Sequence, residues 1–264
     1  MDNTNNKEYW NNYVTYWENR VKETNEAKEV KDRTNDDFIL ETYFQSLNVN
    51  GMDTFLDFGC GSGRLYPIYR KSIPDENGKY FGLDISGVSL EHAEKMNKGL
   101  KVGDNLKEFD GMRIPFENNA FDKIICFGVF DACNQEVIVQ ELLRVAKNRG
   151  GVLLLTGKNN RYFADDEAAM IAEMNARKKG HPNYFTDVYN LTLQLQQHNA
   201  RIIETYYFLR RGDFPKNRAV YEMPKIFYEW AYLIEKTEEY KDFEYQKFSD
   251  KYSLTFQMNK EEQK

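Results

Sequence analysis

The sequence lacks a long hydrophobic run. No stretch approaches the roughly 20 apolar residues that a membrane-spanning helix needs, and charged residues make up 30% of the 264 positions. The chain begins with a polar, acidic segment, residues 1–6, which does not look like a signal or transit peptide. These absences predict a soluble, cytoplasmic protein without a membrane partner.

Cysteine is scarce, and an excess of basic charge is missing. The three cysteines, Cys60, Cys126 and Cys133, do not have the spacing of a metal site, which favours reduced thiols and no bound metal. The net charge is −6, whereas proteins that bind many nucleic-acid phosphates usually carry a basic excess. We therefore expect no nucleic-acid partner.

The most informative segment that is present is residues 54–63. It is an apolar strand that reaches Asp57 and then breaks into glycines before a helix. Backbone amides of such a loop can close around a small charged ligand at a helix N-terminus. A side chain at Gly59, Gly61 or Gly63 would block that approach or clash at positive φ. The loop alone is a weak signal, because several nucleotide-binding folds share it.

Two further carboxylates follow at intervals that suit a bound nucleoside. Asp84 ends an apolar strand one loop–helix–strand unit after the glycines, where a carboxylate can accept hydrogen bonds from both ribose hydroxyls. Asp110 could accept from an adenine amino group, with the amides of Gly111 or Met112 facing the ring nitrogens. Each acid alone could equally cap a loop or helix, but together with the glycines they favour cofactor binding.

Several segments of the chain, which follow one another in the same order as in the family, resemble the class I S-adenosylmethionine-dependent methyltransferases of the small-molecule type. The resemblance covers roughly residues 50–160 and departs from the family at residues 148–151, where Asn-Arg-Gly-Gly replaces the usual Pro-Gly-Gly. It implies an α/β, Rossmann-like fold with a seven-stranded, mostly parallel sheet, an antiparallel last strand and helices on both faces. The matching segments are residues 56–63, 82–86, 110–116, 121–125, 141–147 and 150–155.

The resemblance implies S-adenosyl-L-methionine as cofactor and S-adenosyl-L-homocysteine as product. Asp57 supports that choice, because its charge would favour an amino group and a sulfonium but repel the pyrophosphate of a dinucleotide. An NAD-dependent oxidoreductase is therefore the weaker alternative, and a non-catalytic S-adenosylmethionine-binding partner or sensor is the main one. The predicted cofactor contacts are Tyr13, Trp17, Asp57, Gly59, Cys60, Gly61, Gly63, Asp84, Ile85, Asp110, Gly111, Met112 and Phe127.

Residues 1–46 are predicted to form an N-terminal helical cap, because apolar residues recur at three- to four-residue spacing. The aromatic face of this cap could close over the cofactor as a lid, through Tyr13 or Trp17. Alternatively, it could simply pack on the sheet, as aromatic stripes usually do.

Residues 47–264 are predicted to form the methyltransferase domain, with an elaborated substrate region at about 158–199. The apolar run at 225–234 predicts a helix within an insertion at about 212–250. Alternating residues at 252–258 then predict the antiparallel seventh strand.

Cationic side chains follow the fifth and sixth predicted strands, where ligands of open parallel sheets bind. They favour a small, anionic acceptor, phosphorylated or nucleotide-linked, unless they are only solvated surface charges. His181 and Asp131 are the candidate general bases, although an acceptor that is already anionic would need none. The sequence leaves the methylated atom (oxygen or nitrogen) and the oligomeric state open. The predicted acceptor contacts are Lys158, Arg161, Tyr162, Arg210 and Arg211.

Overall fold

The computed structural model describes residues 7–14, 35–74, 79–198, 200–237 and 243–257. A seven-stranded sheet with the strand order β3-β2-β1-β4-β5-β8-β7 forms its centre. The strands are β1 Thr54–Phe58, β2 Lys79–Asp84, β3 Leu106–Glu108, β4 Lys123–Cys126, β5 Gly151–Lys158, β6 Phe185–Thr186, β7 Ala200–Phe208, β8 Glu229–Lys236 and β9 Ser249–Asp250. Strands β6 and β9 pair separately as a small antiparallel ribbon.

Helices flank the sheet. Residues 7–14 are helical and are called α1. The other α-helices are α2 Asn35–Ser46, α3 Tyr66–Ser72, α4 Gly87–Met96, α5 Gln135–Val145, α6 Glu167–Lys178 and α7 Val188–Gln197, and short 3₁₀ helices occupy Phe130–Ala132 and Phe214–Lys216. Within the described ranges, none of the helices combines the length and the apolar character that crossing a bilayer requires.

The sheet is covered on both faces because side chains alternate along each strand. Leu56 and Phe58 pack on the side of α5 and α7. Phe55 packs on the opposite side, with α2, α3 and α4. Asp57 lies between Leu56 and Phe58 in the alternation, so it shares the face of Phe55. This register determines which helices surround the site.

The sheet confirms the predicted fold class. Strands β1 to β5 pair in parallel, and β8 runs antiparallel between β5 and β7. Strand β8 is also the last of the seven along the chain, as expected. The parallel strands all end at the same edge, which is where the glycine loop and the acids of β1 and β2 lie.

The predicted position of the last strand was wrong. The run predicted as a helix at 225–234 instead contributes to β8, and residues 254–257 of the predicted strand are helical. Six of the eight residues of β8 are buried, because the strand has neighbours on both sides and helices on both faces. Such a strand loses the alternation that marks a half-exposed one. The insertion predicted before the last strand therefore ends at β8 and does not reach residue 250.

Candidate cofactor and acceptor site

The glycine loop after β1 bends back over the end of β2. The amides of Gly59 and Cys60 both donate to the Leu83 carbonyl oxygen, at 2.7 and 2.9 Å. Gly59 has φ +77°, and a Cβ there would come within 2.4 Å of Val129. Gly61 has φ +50°, but a Cβ there would meet no heavy atom of the described residues within 4 Å. The backbone at Gly61 is thus open to a ligand.

Asp84 is held at the end of β2 by two backbone amides. Gly61 N donates to Asp84 Oδ2 and Ser86 N donates to Oδ1, each at 2.9 Å. Burial raises the pKa of this carboxyl, and the amide hydrogen bonds oppose that shift. Each oxygen keeps a further lone pair, so the carboxylate can still accept two hydroxyls. Its orientation is fixed before any ligand arrives.

Asp57 is only 7% exposed and has one protein donor within the described residues, the Tyr80 hydroxyl at 2.6 Å. Burial raises the pKa of Asp57 to about 7; the Tyr80 hydrogen bond opposes this shift and the nearby Asp84 charge adds to it. A positively charged ligand group would stabilise the ionised form. Tyr80 was not among the predicted site residues. Its position on the neighbouring strand, with its side chain on the same face of the sheet as Asp57, was a usable signal.

Asp110 occupies an exposed turn. Its Oδ1 accepts from the amides of Met112 and Arg113, at 2.8 and 3.0 Å, and these hydrogen bonds lower its pKa. The neighbouring Gly111 and Phe109 line the cleft described next, but Asp110 and Met112 are not among the described residues that do so. The cofactor contacts predicted for Asp110 and Met112 stay predictions.

A cleft of ≈ 310 Å³ lies at the carboxyl edge of the sheet. Nine of the predicted cofactor residues line it: Tyr13, Asp57, Gly59, Cys60, Gly61, Asp84, Ile85, Gly111 and Phe127. Gly63 is not among the lining residues, and a Cβ there would approach Ala93, Asn97 and Leu100, so it faces the α4 side. Trp17 lies outside the described residues.

Helix α1 and His181 form one wall of the cleft. Trp10, Tyr13 and His181 all line it, and the Tyr9 hydroxyl lies 2.7 Å from His181 Nδ1. Helix α1 also reaches the cofactor side, because Ser86 Oγ donates to Asn11 Oδ1 at 2.8 Å. Burial lowers the pKa of His181 to about 4, with contributions from Lys158 and Lys179. The imidazole is therefore neutral at pH 7.

The second candidate base, Asp131, is paired with Lys158. Lys158 N donates to Asp131 Oδ1 at 2.9 Å, and Lys158 Nζ lies 3.4 Å from Oδ2. Lys158 Nζ also donates to Asn183 Oδ1 at 3.0 Å. Burial raises the pKa of Asp131, and the Lys158 charge opposes that shift. Neither residue is among the described side chains that line the cleft.

The other predicted acceptor contacts also have protein partners or point elsewhere. Arg210 forms an ion pair with Asp165 at 2.9 Å, and Arg211 Nη1 donates to the Tyr228 hydroxyl at 3.0 Å. Tyr162 is 2% exposed and belongs to a buried hydrogen-bond network with Glu173 and Ser253. Arg161 is exposed. None of these four is among the described residues that line the cleft.

The polar groups that line the cleft fit S-adenosylmethionine. A backbone-held carboxylate, Asp84, ends β2, a second buried carboxylate, Asp57, lies one residue before the end of β1, and the backbone of the glycine loop is open at Gly61. Hydroxyls and an ammonium are the groups that carboxylates bind best. A pyrophosphate would instead face two negative charges. The residues thus match the charge pattern of a sulfonium nucleoside.

Comparison with known proteins agrees with this chemistry. Residues 56–155 match the family described as "Methyltransferase domain". An uncharacterized protein of Methanocaldococcus jannaschii is 32% identical over 123 residues, which are 46% of this chain and 43% of that protein. A demethylmenaquinone methyltransferase of Shouchella clausii is 28% identical over 113 residues, 42% of this chain and 48% of that enzyme. The chain thus spans less than half the length of these curated relatives.

A solved structure shows the same fold over most of the chain. It is a Thermotoga maritima S-adenosylmethionine-dependent methyltransferase described as a possible histamine N-methyltransferase. It aligns with a TM-score of 0.59 and 12% identity, and the alignment covers 87% of this chain and 99% of that one. The chain thus contains a stretch, residues 56–155, that matches a methyltransferase domain, and it shares the fold of a solved S-adenosylmethionine-dependent methyltransferase.

Proposed function

We propose that the protein is an enzyme that transfers the methyl group of S-adenosylmethionine to an oxygen or nitrogen of a small molecule. The observation that carries the proposal is the Asp84 carboxylate, which two amides orient into a cleft of the matched methyltransferase domain. The curated relatives named as demethylmenaquinone methyltransferases also act on a small molecule. When bound, the cofactor supplies a methyl group already activated by a sulfonium.

Each carboxylate has a separate part in holding the cofactor. Asp84 would accept the ribose hydroxyls, and Asp57 would accept the amino group of the methionine moiety. Gly111 and Phe109 line the cleft beyond β3, where the adenine would bind. The open backbone at Gly61 lets the ligand approach closely. Alignment and exclusion of water are the main tasks left to the protein.

His181 is the proposed contact for the acceptor proton. When Nδ1 donates to the Tyr9 oxygen, Nε2 keeps a lone pair that can accept a hydrogen bond from an acceptor hydroxyl or amine. Because its pKa is about 4, the imidazole stays neutral across the physiological range. Trp10 and Tyr13 beside it shield this position. Asp131 is not proposed as a base, since its carboxylate is paired with Lys158.

The acceptor's negative charge is not retained in this proposal. That prediction depended on cations near strand ends, but Lys158, Arg210 and Arg211 have protein partners in the structure. The charges of Lys158 and Arg210 are largely balanced by Asp131 and Asp165, and Arg211 donates a hydrogen bond to the Tyr228 hydroxyl. The acceptor is therefore proposed only as small enough to share the cleft with the cofactor.

Calorimetry followed by a turnover assay tests the proposal. We expect S-adenosylhomocysteine to bind the full chain, and S-adenosylmethionine to be converted to S-adenosylhomocysteine when a library of small alcohols, phenols and amines is supplied. Binding without turnover by any member would favour the non-catalytic alternative. Tight NADH binding with none of S-adenosylhomocysteine would contradict the proposal.

A further inference from the structure

Aromatic rings of helix α1 form part of the cleft wall. Trp10 and Tyr13 line the cleft together with His181, and all three residues are partly exposed. The Trp10 ring centroid lies 5.1 Å from that of Tyr13 and 5.2 Å from that of His181, and the Tyr13 and His181 centroids are 5.9 Å apart. Rings at these distances pack against one another and leave no room for a ligand between them. A ligand can instead lie on the surface that the three rings share, which we call the aromatic wall.

Hydrogen bonds hold the aromatic wall on two sides of the cleft. The Tyr9 hydroxyl lies 2.7 Å from His181 Nδ1, and Ser86 Oγ donates to Asn11 Oδ1 at 2.8 Å. Helix α1 is therefore attached both to the loop that carries His181 and to the segment that follows β2. These two contacts position the rings at the carboxyl edge of the sheet, where the cleft lies.

A floor of small and apolar side chains connects the aromatic wall with the glycine loop. Three residues of the segment after β4 line the cleft: Val129, Ala132 and Cys133. A Cβ at Gly59 would come within 2.4 Å of Val129, so this floor touches the glycine loop. The loop that carries His181 is attached to the same segment, because Tyr184 N donates to the Asp131 carbonyl oxygen at 2.7 Å. The aromatic wall and the cofactor loop therefore border one continuous space.

The charged side chains that line the described part of the cleft lie on its cofactor side. They are Asp57 on β1, Arg64 just after the glycine loop and Asp84 on β2. Among the described lining residues, the aromatic wall and the floor contribute no carboxylate, lysine or arginine. His181 is neutral at pH 7, because burial lowers its pKa to about 4. A charged acceptor group would lose its water there without gaining a partner of opposite charge.

We infer that the methyl acceptor is an uncharged aromatic molecule whose ring packs on the aromatic wall of Trp10, Tyr13 and His181. The inference rests on the proposed function and narrows its acceptor class. An aromatic ring gains edge and face contacts with the wall that a saturated ring of the same size lacks. Within the same wall, His181 Nε2 can accept a hydrogen bond from the group that is methylated.

Calorimetry on the S-adenosylhomocysteine-saturated protein tests the inference. The probes are three pairs of increasing size, each an aromatic alcohol and its saturated counterpart: 4-methylphenol and 4-methylcyclohexanol, 2-naphthol and decahydro-2-naphthol, and 4-phenylphenol and 4-cyclohexylcyclohexanol. In at least one pair we expect the aromatic member to bind about 5-fold or more tightly. This ratio corresponds to about 1 kcal/mol, which one aromatic pair can supply.

Charged analogues of the tightest phenol test the second part of the inference. A carboxylate or an aminomethyl group in place of the hydroxyl should weaken binding about 5-fold or more, because the described wall offers neither group a partner of opposite charge. Equal affinities within all three pairs, no binding by any of the phenols, or tighter binding of a charged analogue would overturn the inference.

Two variants test whether the aromatic wall is responsible for the preference. Trp10→Leu keeps an apolar side chain but removes the ring, so it should reduce the preference for the aromatic member to less than about 2-fold. Tyr189→Leu, on the exposed surface of α7 and outside the described cleft residues, should preserve the preference.

Two results for Trp10→Leu would overturn the inference. One is an unchanged preference for the aromatic member. The other is a loss of S-adenosylhomocysteine affinity of about 10-fold or more, because the rings would then contact the cofactor and not the acceptor. Failure of the wild type to bind S-adenosylhomocysteine would instead contradict the proposed function.

Discussion

The two halves of the sheet handle charge in different ways. On the β1–β2 side, the carboxylate of Asp84 is oriented by backbone amides and lines an open cleft. On the β5–β8 side, the charges of Asp131 and Lys158 are paired with each other behind the cleft wall. Carboxylates that backbone amides orient keep lone pairs that a ligand can use, whereas the charges of Asp131 and Lys158 already neutralise one another. This difference supports the proposal that the first side binds the cofactor.

The largest expected effect comes from a side chain at Gly61, where the space beside the backbone is open. Gly61→Leu should weaken S-adenosylhomocysteine binding about 100-fold or more, because the new side chain would occupy the ligand's position. Calorimetry measures the loss. The matched control is Gly103→Leu: Gly103 also has positive φ and open space around it, but it is not among the described cleft residues. An equal loss of affinity in both variants would mean that strain, rather than blockage, is responsible.

The pH dependence of the free energy of unfolding tests the protonation state of His181. Its pKa is about 4 in the folded protein and about 6.5 in the unfolded chain. The unfolded state therefore binds more protons between these values, so stability falls as pH falls from 6.5 to 4. Relative to His181→Asn, the wild type should lose up to about 3 kcal/mol of unfolding free energy over this range.

Urea denaturation of both proteins at several pH values measures this difference. The same substitution at His92, on α4 and outside the described cleft residues, is the control. Parallel pH profiles for the wild type and His181→Asn would contradict a neutral, desolvated imidazole at the acceptor wall.

Tyr80 tests how strongly cofactor binding depends on the hydrogen bond that holds the Asp57 carboxylate. Tyr80→Phe removes the donor to Asp57, which should raise the pKa of Asp57 further and weaken S-adenosylhomocysteine binding about 5- to 10-fold at pH 7. The affinity should recover partly at higher pH, where Asp57 ionises. Tyr69→Phe removes a buried hydroxyl without a described partner and should leave affinity unchanged. Equal affinities for Tyr80→Phe and the wild type would show that Asp57 needs no such support.

The smallest effect is expected from the outer cations. Arg161→Ala and Arg210→Ala should each change S-adenosylhomocysteine affinity by less than about 2-fold, because neither side chain lines the described cleft and exposed ion pairs contribute little. Calorimetry on both variants checks this. A 10-fold loss of affinity in either variant would indicate that the ligand reaches the ends of β5 and β7. The difference between the two sides of the sheet would then not hold.

Most of the predicted cofactor residues line one cleft, because the sequence signals that singled them out are local. Asp57 and Asp84 lie at or next to the end of a short apolar strand, and parallel strands place such ends at one edge of the sheet. The glycines between them need no long-range information. The order and direction of the strands followed from the family resemblance, which those same residues carried.

The acceptor side could not be predicted in the same way. Strand β8 is buried on both faces, so its residues show no alternation, and the run at 225–234 was predicted as a helix. The partners of Lys158 are Asp131 and Asn183, each more than 20 residues away in sequence. Whether a cation is free or paired depends on such tertiary contacts, which spacing alone does not contain.

The most direct test of the account is a calorimetric titration of S-adenosylhomocysteine into the wild type and Asp84→Ala. Because the variant loses the carboxylate that two amides orient into the cleft, where we propose that the ribose binds, we expect binding to the wild type and a loss of about 50-fold or more in Asp84→Ala. Equal affinity in the two proteins would contradict the assignment of this edge of the sheet to the cofactor.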